Sequence, residues 1–383
     1  MYLSTLNHTV NLTEARHKLH TLAELSGQEF KTREFIINRL KEFSPDKIHT
    51  FDHCNCIVAE YVFSDDSHTT LLRADFDAVP VKETLPLPYS SCTEGVAHKC
   101  GHDGHTTILL GVAERLSLWK AENGKQIGRV LLLFQAAEET GEGMESFIGT
   151  HFLDSYDIRR VFALHNIPGY PSASVICKTG SFTCSVISCD IHFTGQSAHA
   201  AEPQTGVSPV LPMLEMAKTV SSWNQIDMTL PDYRIITIIE ASAGHADYGV
   251  AASEGVLRLT IRTKEDTALK SLMTDIEALA AKIAKEGRLE HSTRWLQYFA
   301  ENKNEASSVE MIRSAAAKND LAYIEKEQPF AWGEDFGLLT QRYNGAMFGV
   351  GSGEAHPGLH HADYDFPDEI LEPAVRIFIS LLK

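Results

Sequence analysis

The sequence predicts an α/β fold, a mixed sheet sandwiched by helices, with a ferredoxin-like α+β unit inserted near the middle. Three observations predict it. The run Val130-Leu131-Leu132-Leu133-Phe134 is continuously apolar, the pattern of a strand covered on both faces. Strands of this kind alternate with helical segments early in the chain and again near its end. Between those stretches the strands alternate apolar with polar residues, and the element order becomes β-α-β-β-α-β.

Each element has its own warrant. Residues 10–43 read as two helices, because Leu19, Leu22 and Leu25, then Phe35, Ile36 and Leu40, recur at helical spacing. Strands follow over 55–61 and 70–74, then a helix over about 106–120 and the strand 130–135. A short apolar strand, 161–165, ends in His165. In the middle region the strands are 186–193, 234–241, 255–262 and 293–298, with helices over 208–222 and 267–285. The first pattern returns with a helix over 305–318 and a strand over 346–351, just before His360-His361. The expected division is a large domain built from residues 1–181 and 297–383, with residues 182–296 inserted as a smaller one.

Composition narrows the function. A chain of 383 residues is long enough for two domains. With 34 basic and 51 acidic side chains the formal charge is −17, which disfavours nucleic acid, where a basic surface must displace counterions. The opening Met1-Tyr2-Leu3-Ser4-Thr5 lacks the basic stretch and apolar core of a signal peptide. No apolar run approaches the roughly 18 residues of a membrane span. Seven cysteines, odd in number and scattered, fit reduced thiols in a cytoplasm.

The chemistry concentrates in Cys100-Gly101-His102-Asp103-Gly104-His105, Glu138-Glu139, His165 and His360-His361. Thiolate, imidazole and carboxylate together suit zinc or another borderline divalent ion. Singly, a Cys is more often a small buried hydrophobe and a His a hydrogen-bonded core or surface residue. Jointly, four separated segments end strands or open helices with ligand-type residues, where open α/β sheets build their sites. The number and mixture of candidates favour two ions over one. A pair about 3.5–4 Å apart polarises a carbonyl and activates a water together. Of two adjacent carboxylates, one can hold metal while the other handles a proton, which points to a hydrolase.

Six segments then resemble, in order and across nearly the whole chain, the amidohydrolase family of aminoacylases, hippurate hydrolases and auxin-amino-acid conjugate hydrolases. They are Arg73-Ala74-Asp75-Phe76-Asp77-Ala78-Val79-Pro80, His98-Lys99-Cys100-Gly101-His102-Asp103-Gly104-His105, Gln135-Ala136-Ala137-Glu138-Glu139, Leu164-His165-Asn166, Trp332-Gly333-Glu334-Asp335-Phe336 and Leu359-His360-His361. The resemblance implies a zinc-peptidase-like catalytic domain with two divalent metal ions per subunit, manganese or zinc, with cobalt also open. It implies Cys100, His102, Glu139, His165 and His360 as ligands, with Cys100 bridging. His360 is preferred to His361 because the family's ligand lies four residues before the aromatic of its last motif, here Tyr364. Glu138 becomes the general base and acid for a metal-activated water, its alternative being a further ligand. Asp75 and Asp77 become groups that orient ligand imidazoles, and His105 supports them or is structural.

In the inserted unit, Gly195-Gln196-Ser197-Ala198-His199-Ala200-Ala201 resembles the family's Gly-x-x-x-His-Ala-Ala loop. By that resemblance the unit pairs two subunits into a homodimer and acts as a lid, and His199 donates to the developing oxyanion. Arg262 is a candidate for a substrate carboxylate, or an outward-facing strand residue. The chain departs from the family at Tyr248-Gly249-Val250-Ala251-Ala252, where an Asn-Val-Ile-Pro segment is common. Ala136 and Gly333 stand where Pro and Ser are usual. No departure removes a ligand or the base. The expectation is a cytoplasmic metal-dependent amidohydrolase acting on an N-acyl amino acid or related small amide, with neither nucleic acid nor membrane as partner. The alternatives are a carboxypeptidase or dipeptidase on the same scaffold, and a non-catalytic metal- or amide-binding homologue, against which the intact Glu138 argues.

Overall fold

The computed structural model describes residues 11–64, 68–122 and 127–382. They form two compact units, one within Met1–Phe182, Asn302–Glu327 and Asp335–Lys383, the other of Thr183–Glu301 with Gln328–Glu334.

In the first unit the elements run α1 (Leu12–Thr21), α2 (Phe30–Glu42), β1 (Lys47–Thr50), β2 (Ile57–Val62), β3 (His68–Asp75), α3 (His102–Ala121), β4 (Arg129–Gln135), α4 (Gly143–Gly149), β5 (Asp157–Pro168), β6 (Val175–Cys177) and β7 (Gly180–Thr183). Eight of its strands make one mixed sheet in the order β1-β2-β4-β3-β5-β16-β6-β15. Here β15 is Tyr323–Glu325 and β16 is Gly345–Gly353, and β14 (Asn302–Asn304) pairs with β7 outside that sheet. The central strands β4, β3, β5 and β16 are mutually parallel, while β2 pairs antiparallel with β4 and β6 with β16. Val130 to Phe134 have no exposed surface, so both faces of β4 are covered and the mixed α/β sheet flanked by helices is borne out. The remaining helices are α7 (Ala306–Lys318), α8 (Gly337–Thr340) and α9 (Leu371–Leu381), and both α1 and α9 pack on α3.

The second unit runs β8 (Ser185–Thr194), β9 (Ala198–His199), α5 (Val210–Ser222), β10 (Arg234–Ala243), β11 (Val250–Ala251), β12 (Glu254–Thr263), α6 (Asp266–Gly287) and β13 (Glu290–Phe299). Its four long strands form an antiparallel sheet in the order β10-β12-β8-β13. That is a βαββαβ unit with the ferredoxin-like strand order. Ile187, Ile191 and Phe193 of β8 and Leu257, Leu259 and Ile261 of β12 pack with Met213 and Met216 of α5 and Ile276 and Ile283 of α6. The alternation in the sequence is this one-sided burial. Among the described residues no helix is long and apolar enough to cross a membrane.

Candidate metal centre

The ligand-type residues of the first unit lie where parallel strands end and loops begin. Asp75 closes β3, with Asp77 two residues on. The Glu138-Glu139 pair follows β4, and His165 lies near the end of β5, buried with 4% of its surface exposed. Cys100 and His102 flank Gly101, which caps α3 with φ +98°. A Cβ there would also meet the Asn166 amide at 2.5 Å, so only glycine allows this approach.

The expected ligands of this unit converge. Cys100 Sγ is 3.5 Å from His165 Nε2. His102 Nε2 faces Glu139 Oε1 at 3.7 Å, Asp75 Oδ2 at 3.8 Å and Glu138 Oε2 at 3.9 Å. His360 Nε2 lies 3.4 Å from Glu139 Oε1, and His361 instead sits over Gly358. Donor atoms group as Cys100, His102 and His165, and as Cys100, Glu139 and His360, each set within 4.8 Å. The two groups share Cys100. A third group, His102 with Glu138 and Glu139, brings in the expected base.

The imidazoles are oriented for this task. His102 Nδ1 donates to the Asp77 carbonyl at 3.0 Å and His165 Nδ1 to the Asn166 carbonyl at 2.9 Å. Because a carbonyl only accepts, both rings turn Nε2 toward the cluster as a lone-pair donor. His102 Nε2 and Glu139 Oε1 are buried without a hydrogen-bond partner, a costly state that a bound cation relieves. Electrostatics agree. Burial, then Glu139 and Glu138, pushes the Cys100 thiol well above its usual range, so a thiolate here needs a cation beside it. Burial alone would lower His102, yet Asp75 and Asp77 raise it to about 10. A field that holds a proton so firmly also attracts a metal. The residues present therefore fit divalent cations.

A buried network supports the cluster. His105 bridges Asp75 and Asn166, and Asn166 donates to the Tyr364 hydroxyl. Arg73 donates to Asp75 and Asp335, and Asp335 also accepts from Gln135 and the Met144 amide. Burial opposes ionisation of Asp75, but His102, Arg73 and His105 hold it well below the usual carboxylate range. Sequence reasoning assigned no part to Asp335, Asn166 or Glu29, although the first two stand inside recognised segments. Glu29 carried no signal beyond being a carboxylate at a helix start. His199 and Arg262 belong to the second unit. His199 is exposed on β9 and its Nδ1 accepts from the Ala201 amide; Arg262 on β12 donates to the Ala331 carbonyl.

A mixed α/β sheet bearing overlapping thiolate, imidazole and carboxylate donors, with a second glutamate alongside, defines a metal-dependent hydrolase. Comparison with known proteins gives the family: residues 71–383 match the profile of peptidase family M20/M25/M40, and the chain belongs to it. It is 28% identical over 372 residues to an N-acetyldiaminopimelate deacetylase of Bacillus pumilus, covering 97% of both chains. It is 29% identical over 385 residues to an uncharacterised hydrolase of Staphylococcus aureus, covering 99% of both. Its structure is similar to that of a dinuclear metal-binding M20 peptidase of Bacillus subtilis, with a TM-score of 0.80 at 25% identity over 97% of this chain and 96% of that one. The protein is a metal-dependent amide hydrolase.

Proposed function

We propose that the chain hydrolyses the amide bond of a small N-acyl amino acid, releasing a carboxylic acid and a free amine. The observation that carries this reading is Glu138, 6% exposed and within 4 Å of a metal-ligand cluster, in a chain that aligns end to end with a deacetylase. That relative favours acetyl as the acyl group and an amino acid as the amine. Cys100, His102, Glu139, His165 and His360 would hold two cations; the thiolate and imidazoles favour zinc over calcium or magnesium, while the carboxylate keeps manganese open. Such cations supply Lewis-acid polarisation of the scissile carbonyl and acidify water enough for it to attack near neutral pH.

This chain's residues do the rest. Glu138 takes one proton from the attacking water and returns it to the leaving nitrogen, so one water is consumed and the carboxylate ends unchanged. Asp77 keeps the His102 ring in the donor tautomer. His199, assigned from its loop segment, donates to the carbonyl oxygen as negative charge develops.

We assign the second unit to dimerisation. Strand β10 is an edge of its sheet, Ile239 is 60% exposed on it, and Leu211 on the neighbouring α5 is 76% exposed. A second copy of the chain would cover this edge and apolar patch. Seven cysteines, none in a disulfide, fit a reducing cytoplasm. The test is a panel of N-acetyl, N-benzoyl and indole-acetyl amino acids beside dipeptides, run on protein stripped of metal and reloaded with zinc, manganese or cobalt. The reading expects metal-restored hydrolysis of N-acetyl amino acids. Faster dipeptide cleavage would shift it to a dipeptidase, and no hydrolysis with any metal would remove it.

A further inference from the structure

Catalysis by proton transfer depends on where the carboxylate is held, and Glu138 sits on an unusual piece of backbone. Ala137 has φ +54°, a left-handed conformation that a residue with a Cβ adopts only when its surroundings impose it. The amides on either side of Glu138 both end on buried carboxylates. Ala137 N donates to Glu29 Oε1 at 2.9 Å, and Glu139 N donates to Asp77 Oδ2 at 3.0 Å.

Glu29 is fully buried. It stands at the start of α2, yet its side chain makes no bond to that helix's own amides. Its Oε1 also accepts from Gly27 N at 2.8 Å, and its Oε2 from Asn55 Nδ2 at 2.9 Å. Ser26, three residues earlier, donates to the Asp77 oxygen that receives Glu139 N. The short loop 26–29 thus holds both clamps on the Glu138 backbone. Burying a carboxylate is costly unless donors surround it, and here all three donors are N–H groups, one of them the amide next to the base.

We infer that Glu29 is a positioning residue for Glu138, fixing the Ala137 peptide so that the base carboxylate faces the metal-ligand cluster. This rests on Glu138 being the base. A displacement of about 1 Å in a catalytic group costs on the order of a hundredfold in rate, so loosening this clamp lowers turnover without removing a ligand.

Three variants test it. Glu29→Gln keeps one oxygen for Gly27 and Ala137 and meets Asn55 with its amide once the Asn55 side chain turns over; kcat stays within a few fold of wild type. Glu29→Asp keeps the charge but is a methylene too short to reach both amides. Glu29→Ala removes the clamp. For the last two, kcat on an N-acetyl amino acid falls about ten- to a hundredfold, while KM and metal content stay the same. In a Glu138→Ala background the Asp variant costs nothing further. Amide exchange in metal-free protein rises over residues 136–142 but not in α3. If the alanine variant does not fold, the Asp and Gln pair decides the matter. The inference is overturned if Glu29→Asp keeps wild-type kcat and exchange, if it costs as much without Glu138, or if its loss is matched by lost metal. A fully active Glu138→Ala would instead strike the base assignment itself.

Discussion

Glu138 and Glu139 are neighbours in the chain to which the proposed function gives different tasks, and the left-handed Ala137 and the Asp77-bound Glu139 amide fix the backbone on either side of Glu138. The same economy operates at Gly101, whose φ of +98° sends Cys100 and His102 to one cluster from either side. Gly101→Ala should meet both a disallowed φ and the Asn166 amide, lowering stability by about 2 kcal/mol. Metal titration and thermal melting should show weaker binding together with a lower Tm; unchanged binding would show that the turn is not needed. At this scale the donors were legible because thiol, imidazole and paired carboxylate are chemically conspicuous. Of the groups that orient them, Asp77 beside His102 was legible too, but the more distant supports were not. Glu29 meets Ala137 across 108 residues and Arg73 meets Asp335 across 262, and nothing local in either residue announces a partner that distant.

Helix α3 shows why elements were easier to read than their ends. Its apolar run predicted a start near residue 106, but it begins at His102, because its first turn carries the site's polar residues rather than core-facing ones. Strand β5 likewise continues past His165 to Pro168, since β16 pairs with it along that length. Helix α7 carries its own start signal. The Glu305 side chain accepts from the Ser307 and Ser308 amides, and against the upward push of partial burial these residues bring its carboxyl down to about 2. A carboxyl depressed on folding contributes stability that is complete above about pH 4.5 and is lost as the pH falls towards 2. The side chain is one-third exposed, so solvent screening limits the effect to about 1 kcal/mol or less. Urea midpoints of wild type and Glu305→Ala should differ at pH 6 and converge as the pH is lowered to 3. An equal difference at both would refute the capping account.

For the whole molecule, the element order sufficed for both the large sheet and the βαββαβ unit, while subunit pairing came from resemblance alone. The β10 edge with its exposed Ile239 is where the proposed pairing would form. Ile239→Asp should convert a dimer to a monomer in light scattering at micromolar concentration, and a dimer that survives would move the interface elsewhere. Ions bound only by the folded chain should raise its Tm with metal concentration. In the proposed mechanism one glutamate moves protons beside a cluster that others build. Metal content and turnover of an N-acetyl amino acid, measured on the same Glu138→Gln preparation, test it most directly. The account predicts two ions per chain, as in wild type, with turnover lowered by about 10²–10⁴-fold. Wild-type turnover, or a loss of activity explained by missing metal, would contradict it.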